Sequence, residues 1–284
     1  MLLQIPPVSM FKGGKGLIRG QFDFPRGIAT DRSGNVVVAD TNNGRIQRFT
    51  ANGVFLNMFG EIGFRPGEFK EPNGVAVDSK GNIYVADTGN HRIQKLDPNG
   101  RFLAEWRGPS PGFYGPRDIW IASDDVAYVV DQGRSRVVRL DGNGTALASW
   151  GTQGKADGQF DEPTSVAVDA GRNRVYVADP RNRRIEVFDN QGTLLAKWPV
   201  PEWQPAGWSF QDMAIDPEQE RLYLLSPASD EVLVYNLEGT KVGALKPQPP
   251  NNLDGASALA LSKRKLYVVC AFADRVQAID LPAK

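Results

Sequence analysis

The chain has 284 residues, 41% hydrophobic and 23% charged, a composition typical of a folded globular protein and unlike that of a disordered or membrane-embedded one. Thirty-three Lys and Arg balance thirty-three Asp and Glu, so no bulk field draws nucleic acid or an acidic membrane. A single cysteine, Cys270, excludes an internal disulfide framework, and no apolar run approaches the ~20 residues of a membrane span.

From the N-terminus, Met1 to Pro7 lacks a basic stretch followed by an apolar one, so no signal peptide is expected. Val8-Ser-Met-Phe11 resembles Leu56-Asn-Met-Phe59, the end of the first repeat unit, which marks it as a strand in search of a sheet. Gly20-Gln-Phe-Asp-Phe-Pro25 returns as Gly158-Gln-Phe-Asp-Glu-Pro163. A repeat follows. Gly34-Asn-Val-Val-Val-Ala-Asp-Thr41 reappears as Gly81-Asn-Ile-Tyr-Val-Ala-Asp-Thr88 and as Arg174-Val-Tyr-Val-Ala-Asp179. Weaker copies end at Asp131, Ser226 and Cys270, and the six copies are spaced 47, 44, 48, 47 and 44 residues apart, a period suited to propeller blades. Each unit holds four short β-branched or aromatic runs separated by Gly, Asn and Asp, the pattern of a four-stranded antiparallel meander.

The expected architecture is therefore all-β: one six-bladed β-propeller of four-stranded antiparallel blades over residues 1–284. The blades are expected at about 24–60, 71–106, 115–150, 162–198 and 208–245, and the sixth at about 255–281 plus 8–11. The sixth unit lacks a fourth run of its own. The N-terminal strand is expected to complete it, and deleting residues 1–11 to open the ring.

These motifs, above all Tyr84-Val-Ala-Asp-Thr-Gly-Asn-His-Arg-Ile-Gln94, resemble the NHL-repeat family of six-bladed propellers. The resemblance implies a binding platform or a module of a larger protein, although propellers of similar architecture include zinc-dependent amidating lyases, streptogramin lyases and calcium-dependent lactonases. A zinc site of the lyase type needs several His ligands, and His91 is the only histidine here. His91 holds the family-typical position in a loop and is expected to be structural.

Asp and Arg recur five residues apart as Asp40/Arg45, Asp87/Arg92, Asp131/Arg136 and Asp179/Arg184. Four copies of one pair point to structure, a carboxylate–guanidinium tie between the loop after the second strand and the third strand. Blades five and six replace the pair by Ser226/Glu231 and Cys270/Arg275 and must be held differently. Without a candidate base in its motif, Cys270 is expected to be a small buried residue.

The residues leading into the innermost strands differ from blade to blade where the rest of the repeat is copied. Arg26 and Arg117 are candidates to hold a polar or anionic ligand, with Asn73 and Gln211 as hydrogen-bond partners. Phe113, Tyr114, Trp203 and Trp208 lie in the connections before blades three and five and are candidates to stack on a sugar ring or grip a peptide, or else to pack between blades. Asp118 and Asp212, with Asn73, are the candidate oxygen ligands of a Ca2+ ion, although the carboxylates depart from the lactonase pattern. No other cofactor is expected.

The leading expectation is a non-enzymatic binding or scaffold module that recognises a protein, peptide or glycan on the channel-mouth face. The alternative is a calcium- or other metal-dependent lyase or hydrolase with its site at the central channel. Basic and acidic residues balance on the connecting loops, which argues against nucleic acid as a partner. No membrane insertion by this chain is expected. Its location is expected to be cytoplasmic, or extracytoplasmic if it is a module of a larger membrane-associated protein.

Overall fold

Short runs of Val, Ile, Tyr and Phe form strands because their side chains pack well on a pleated surface, and the Gly, Asn and Asp between them turn the chain. The computed structural model describes residues 8–10, 13–204, 210–247, 252–253 and 255–281, and there the strands assemble into six four-stranded sheets. Blade 1 is Gly27–Thr30, Val36–Asp40, Arg45–Phe49 and Phe55–Phe59, hydrogen-bonded in that order. The next four blades repeat this meander from innermost strands Pro72–Val77, Pro116–Ile121, Ser165–Asp169 and Met213–Asp216. Blade 6 runs Ala256–Ser262, Lys265–Cys270 and Arg275–Asp280, and its outermost strand is Val8–Met10. That strand pairs antiparallel with Arg275–Asp280 in the register Val8↔Ile279, Ser9↔Ala278, Met10↔Gln277. The chain is an all-β, six-bladed propeller closed by its own N-terminal strand; Phe11, the last residue of the matching motif, lies outside the described residues.

Burial follows position in the blade. The second strands Val36–Asp40, Ile83–Asp87 and Ala127–Asp131 are buried at every residue, which is why they read as unbroken apolar runs. The outermost strand Phe55–Phe59 alternates half-buried and exposed, one face on the neighbouring blade and one in water. Tyr176, Ile185, Trp198, Leu222 and Leu233 pack together between blades 4 and 5, and Tyr84, Trp106, Ile119 and Val129 between blades 2 and 3.

Each second strand is followed by a one-turn 3-10 helix that ends on a left-handed residue: Gly44, His91, Ser135, Arg183, Asp230 and Asp274 in turn. His91 holds this position with φ 55°, and its Nδ1 accepts the Gly115 N–H at 2.9 Å.

The Asp–Arg pairs are buried ties, with Arg Nε to Asp Oδ2 distances of 2.7, 2.7, 2.8 and 2.9 Å in blades 1 to 4. They reach further than the loop they were expected to hold. The second oxygen of each Asp accepts a backbone N–H from the connection entering its own blade, donated by Asp23, Lys70, Tyr114 and Asp161. Blades 5 and 6 lack the pair and are tied forward instead, the left-handed residue of each bonding the connection that enters the next blade: Asp230 accepts the N–H of Leu253 at 2.8 Å and Asp274 that of Phe24 at 2.7 Å. Cys270 is fully buried between blades 5 and 6.

Candidate functional site

The innermost strands present one unpaired edge to the central channel, so their backbone N–H groups must find partners. Around the ring, the residues just before Ile28, Val75, Ile119, Val166, Met213 and Leu259 are Gly27, Gly74, Asp118, Ser165, Asp212 and Ala258. The polar three each reach across to the next blade. Asp118 Oδ2 accepts the Val166 N–H at 3.0 Å, Ser165 Oγ the Met213 N–H at 3.3 Å, and Asp212 Oδ2 the Leu259 N–H at 2.7 Å. The glycines stand where no side chain fits: a Cβ on Gly27 would lie 1.9 Å from the Asn73 carbonyl oxygen, and one on Gly74 2.6 Å from Asp118 Cα.

One position earlier lies the outer ring of the mouth, with Arg26, Asn73, Arg117, Thr164, Gln211 and Ser257 around one cavity of about 30 Å³. The register of the innermost strand slips between Pro72 and Val75, between Pro116 and Asp118, and between Ala256 and Ala258. Such bulges re-aim side chains, and here they fall at Asn73, Arg117 and Ser257. Hydroxyls stitch the rim from blade to blade: Thr41 Oγ1 to the Pro72 carbonyl, Thr88 Oγ1 to Pro116, Thr164 Oγ1 to Gln211 and Ser257 Oγ to Pro25.

The structure thus brings Arg26, Asn73, Arg117 and Gln211 together. Asn73 Nδ2 donates to the Glu71 carbonyl and to Thr88 Oγ1, whereas Gln211 Oε1 and Arg26 Nε are buried without a hydrogen-bond partner. Both guanidiniums lie 5.6 Å from the centroid of the Phe210 ring. Enclosure by protein and the charge of Arg26 push the Arg117 guanidinium down to about 10, with Asp118, Asp212 and Glu162 opposing. Deeper in, enclosure and the charge of Asp118 push the Asp212 carboxyl up to about 7, against hydrogen bonds from Ser165, Leu259 and Met213. Beyond this pair the channel widens into a cavity of about 270 Å³ bounded by the innermost strands, at residues that include Ile28, Val75, Ile121 and Leu261.

The aromatic candidates need correction. Trp203 is fully buried between blades 4 and 5, with its indole N–H donated to the Leu225 carbonyl at 2.9 Å. Phe113 is buried between blades 2 and 3. Both rings had more apolar area to hide than a surface loop offers, so they fold inward and cannot stack on a ligand. Tyr114 is exposed, 5.0 Å from the His91 ring in a stacked arrangement, and does not line the mouth. Trp208 lies outside the described residues.

Three phenylalanines that sequence reasoning passed over stand at the mouth instead. Phe24 stacks on Phe272 at 5.5 Å and meets Phe210 edge-on at 6.0 Å, with the Arg26 guanidinium 4.8 Å from the Phe24 centroid. A signal was present: Phe24 precedes its proline where blades 2 and 4 have Glu71 and Glu162, and Phe272 occupies a loop position held elsewhere by Asn42, Gly89 or Arg181.

The donor set does not fit calcium. Asp118 and Asp212 already accept inner-strand N–H groups, the Arg117 guanidinium stands beside them, and among the described residues no group of three or more His, Cys, Asp and Glu converges.

Comparison with known proteins agrees with the fold. A model of the NHL repeat matches residues 22–49 and 69–96. The chain is 41% identical over 70 residues to Protein brain tumor of Drosophila melanogaster and 51% identical over 43 residues to B-box type zinc finger protein ncl-1 of Caenorhabditis elegans. Those stretches are 21% and 15% of this chain, and they span only 7% and 5% of the length of these relatives. Among solved structures, a gluconolactonase from Xanthomonas campestris superposes with a TM-score of 0.69 at 19% identity, covering 92% of this chain and 87% of that one. A streptogramin B lyase does so with a TM-score of 0.67 at 16% identity, covering 98% and 88%. At such identities the likeness is one of fold.

Proposed function

We propose that this NHL-repeat propeller is a non-catalytic recognition module that engages a partner polypeptide through its channel-mouth face. The observation that carries the reading is a contrast within the repeat. A frame copied around the ring presents five residue types at the six mouth positions, including two guanidiniums that repel one another and a buried amide oxygen with no donor. No described helix is long and apolar enough to cross a membrane.

The test is a quantitative pull-down with three forms of the chain. Arg26→Glu reverses a charge at the mouth, and Lys80→Glu does the same on the opposite face, in the hairpin after the innermost strand of blade 2. Partners should fall at least ~10-fold with Arg26→Glu and persist with Lys80→Glu. Equal capture by all three forms contradicts the reading.

A second reading has its own support. Asp118, Ser165 and Asp212 form a channel-lining cluster, and an Asp212 carboxyl pushed up to about 7 is suited to proton transfer, as a lyase or hydrolase would need. The inner-strand N–H bonds accepted by both carboxylates explain the same cluster as ring structure, so the recognition reading stands first.

A further inference from the structure

We infer that the group seated at the mouth is the C-terminus of the partner, its carboxylate on Arg26 beside Arg117 and the amide N–H of its last residue on Gln211 Oε1; this rests on the mouth being the recognition site. The size of the mouth cavity selects the kind of ligand. About 30 Å³ holds roughly two water-sized atoms, so the mouth itself admits the two oxygens of one carboxylate. Charge selects the group. Two guanidiniums lie 5.6 Å from the Phe210 centroid; Asp118, Asp212 and Glu162 already stand near Arg117 but only Glu71 near Arg26, so the anion seats on Arg26.

The second, independent observation is Gln211. Its side chain is 6% exposed and lines this cavity, and its Oε1 is buried with no donor in reach. The ligand must therefore bring an N–H as well as an anion. In the last residue of a polypeptide only Cα separates the carboxylate carbon from the amide nitrogen, so acceptor and donor arrive as one compact unit. In an Asp or Glu side chain one or more methylenes intervene, and the pair spreads beyond so small a cavity. The stacked Phe24 and Phe272 then face the terminal side chain. Phe272 is 62% exposed, an unusual state for a ring at a site with other rings to pack on, and an apolar last residue would cover it.

Fluorescence polarisation with three pools of labelled random peptides ending in Leu tests this on the full chain. One pool has a free C-terminus, one is amidated, and one is amidated with Glu beside the Leu. The free-acid pool should bind at least ~10-fold more tightly than either amidated pool, and Arg26→Ala and Gln211→Leu should each weaken it by ~10-fold. Arg26→Lys should recover part of the loss, and melting temperatures confirm that each variant is folded. Equal binding of the plain amidated pool, or no binding by any pool, overturns the inference. If the Glu-containing amidated pool matches the free acid and still depends on Arg26, the C-terminal assignment fails and the recognition site stands. If binding of every pool is indifferent to Arg26, both fail.

Discussion

Asp212 is a carboxylate doing structural work under electrostatic strain. It accepts the Leu259 N–H across the blade 5–6 boundary while burial and Asp118 push its pKa up to about 7. The raised value has a definite sign. The folded state holds the proton more tightly than the unfolded chain, so this contribution is full at pH below the ordinary Asp value and fades as pH rises through about 7. After allowance for solvent reaching the channel, the effect is of order 1 kcal/mol, or roughly 2–4 °C in melting temperature. Scanning calorimetry should show the wild type losing this much between pH 5 and pH 8, and Asp212→Asn should flatten the change. A profile unaltered by that substitution would mean that the carboxyl stays ionised throughout. Residue-scale features of this kind were only partly legible in the sequence. Asp118 and Asp212 stood out as departures from the repeat, but the N–H groups they satisfy belong to the next blade, 47 or 48 residues away.

The Asp–Arg tie belongs to the scale of the element, and its recurrence five residues apart was visible in the sequence because each blade must satisfy its own polar groups. Its second bond was not, since the N–H it captures lies 17 or 18 residues upstream in a connection without a fixed motif. Asp131→Ala takes the carboxylate from the Arg136 guanidinium, 12% exposed and left with carbonyl partners alone, and leaves the Tyr114 N–H without its acceptor. The expected loss is about 3 kcal/mol in urea unfolding, against almost none for the exposed Glu61→Ala. Losses of equal size would deny the tie its role. The aromatic connections show the opposite case. Trp203 and Phe113 were open in sequence to two roles, a binding surface or packing between blades, and the Leu225 carbonyl and the blade 2–3 interface that receive them decide for packing. Phe24, Phe210 and Phe272 meet from blades 1, 5 and 6, an encounter that no local pattern announces.

At the scale of the molecule, the mouth exists only while the ring is closed. Arg26, Arg117 and Gln211 come from three blades, and the seam between blade 6 and blade 1 passes beside Phe24 and Phe272, bridged by the Asp274–Phe24 and Ser257–Pro25 hydrogen bonds. The repeat period and the likeness of residues 8–11 to residues 56–59 made both the ring and its closure readable in advance. Removing the N-terminal strand uncovers the edge of Arg275–Asp280 and leaves blade 6 with three strands. The most direct test of a closed ring holding a six-residue mouth is therefore the thermal melting of a chain lacking residues 1–11. The melting temperature should fall by roughly 5–10 °C, as expected for the loss of a few kcal/mol in a chain of this size. A truncated chain that melts with the full-length protein would contradict the closure on which the mouth depends.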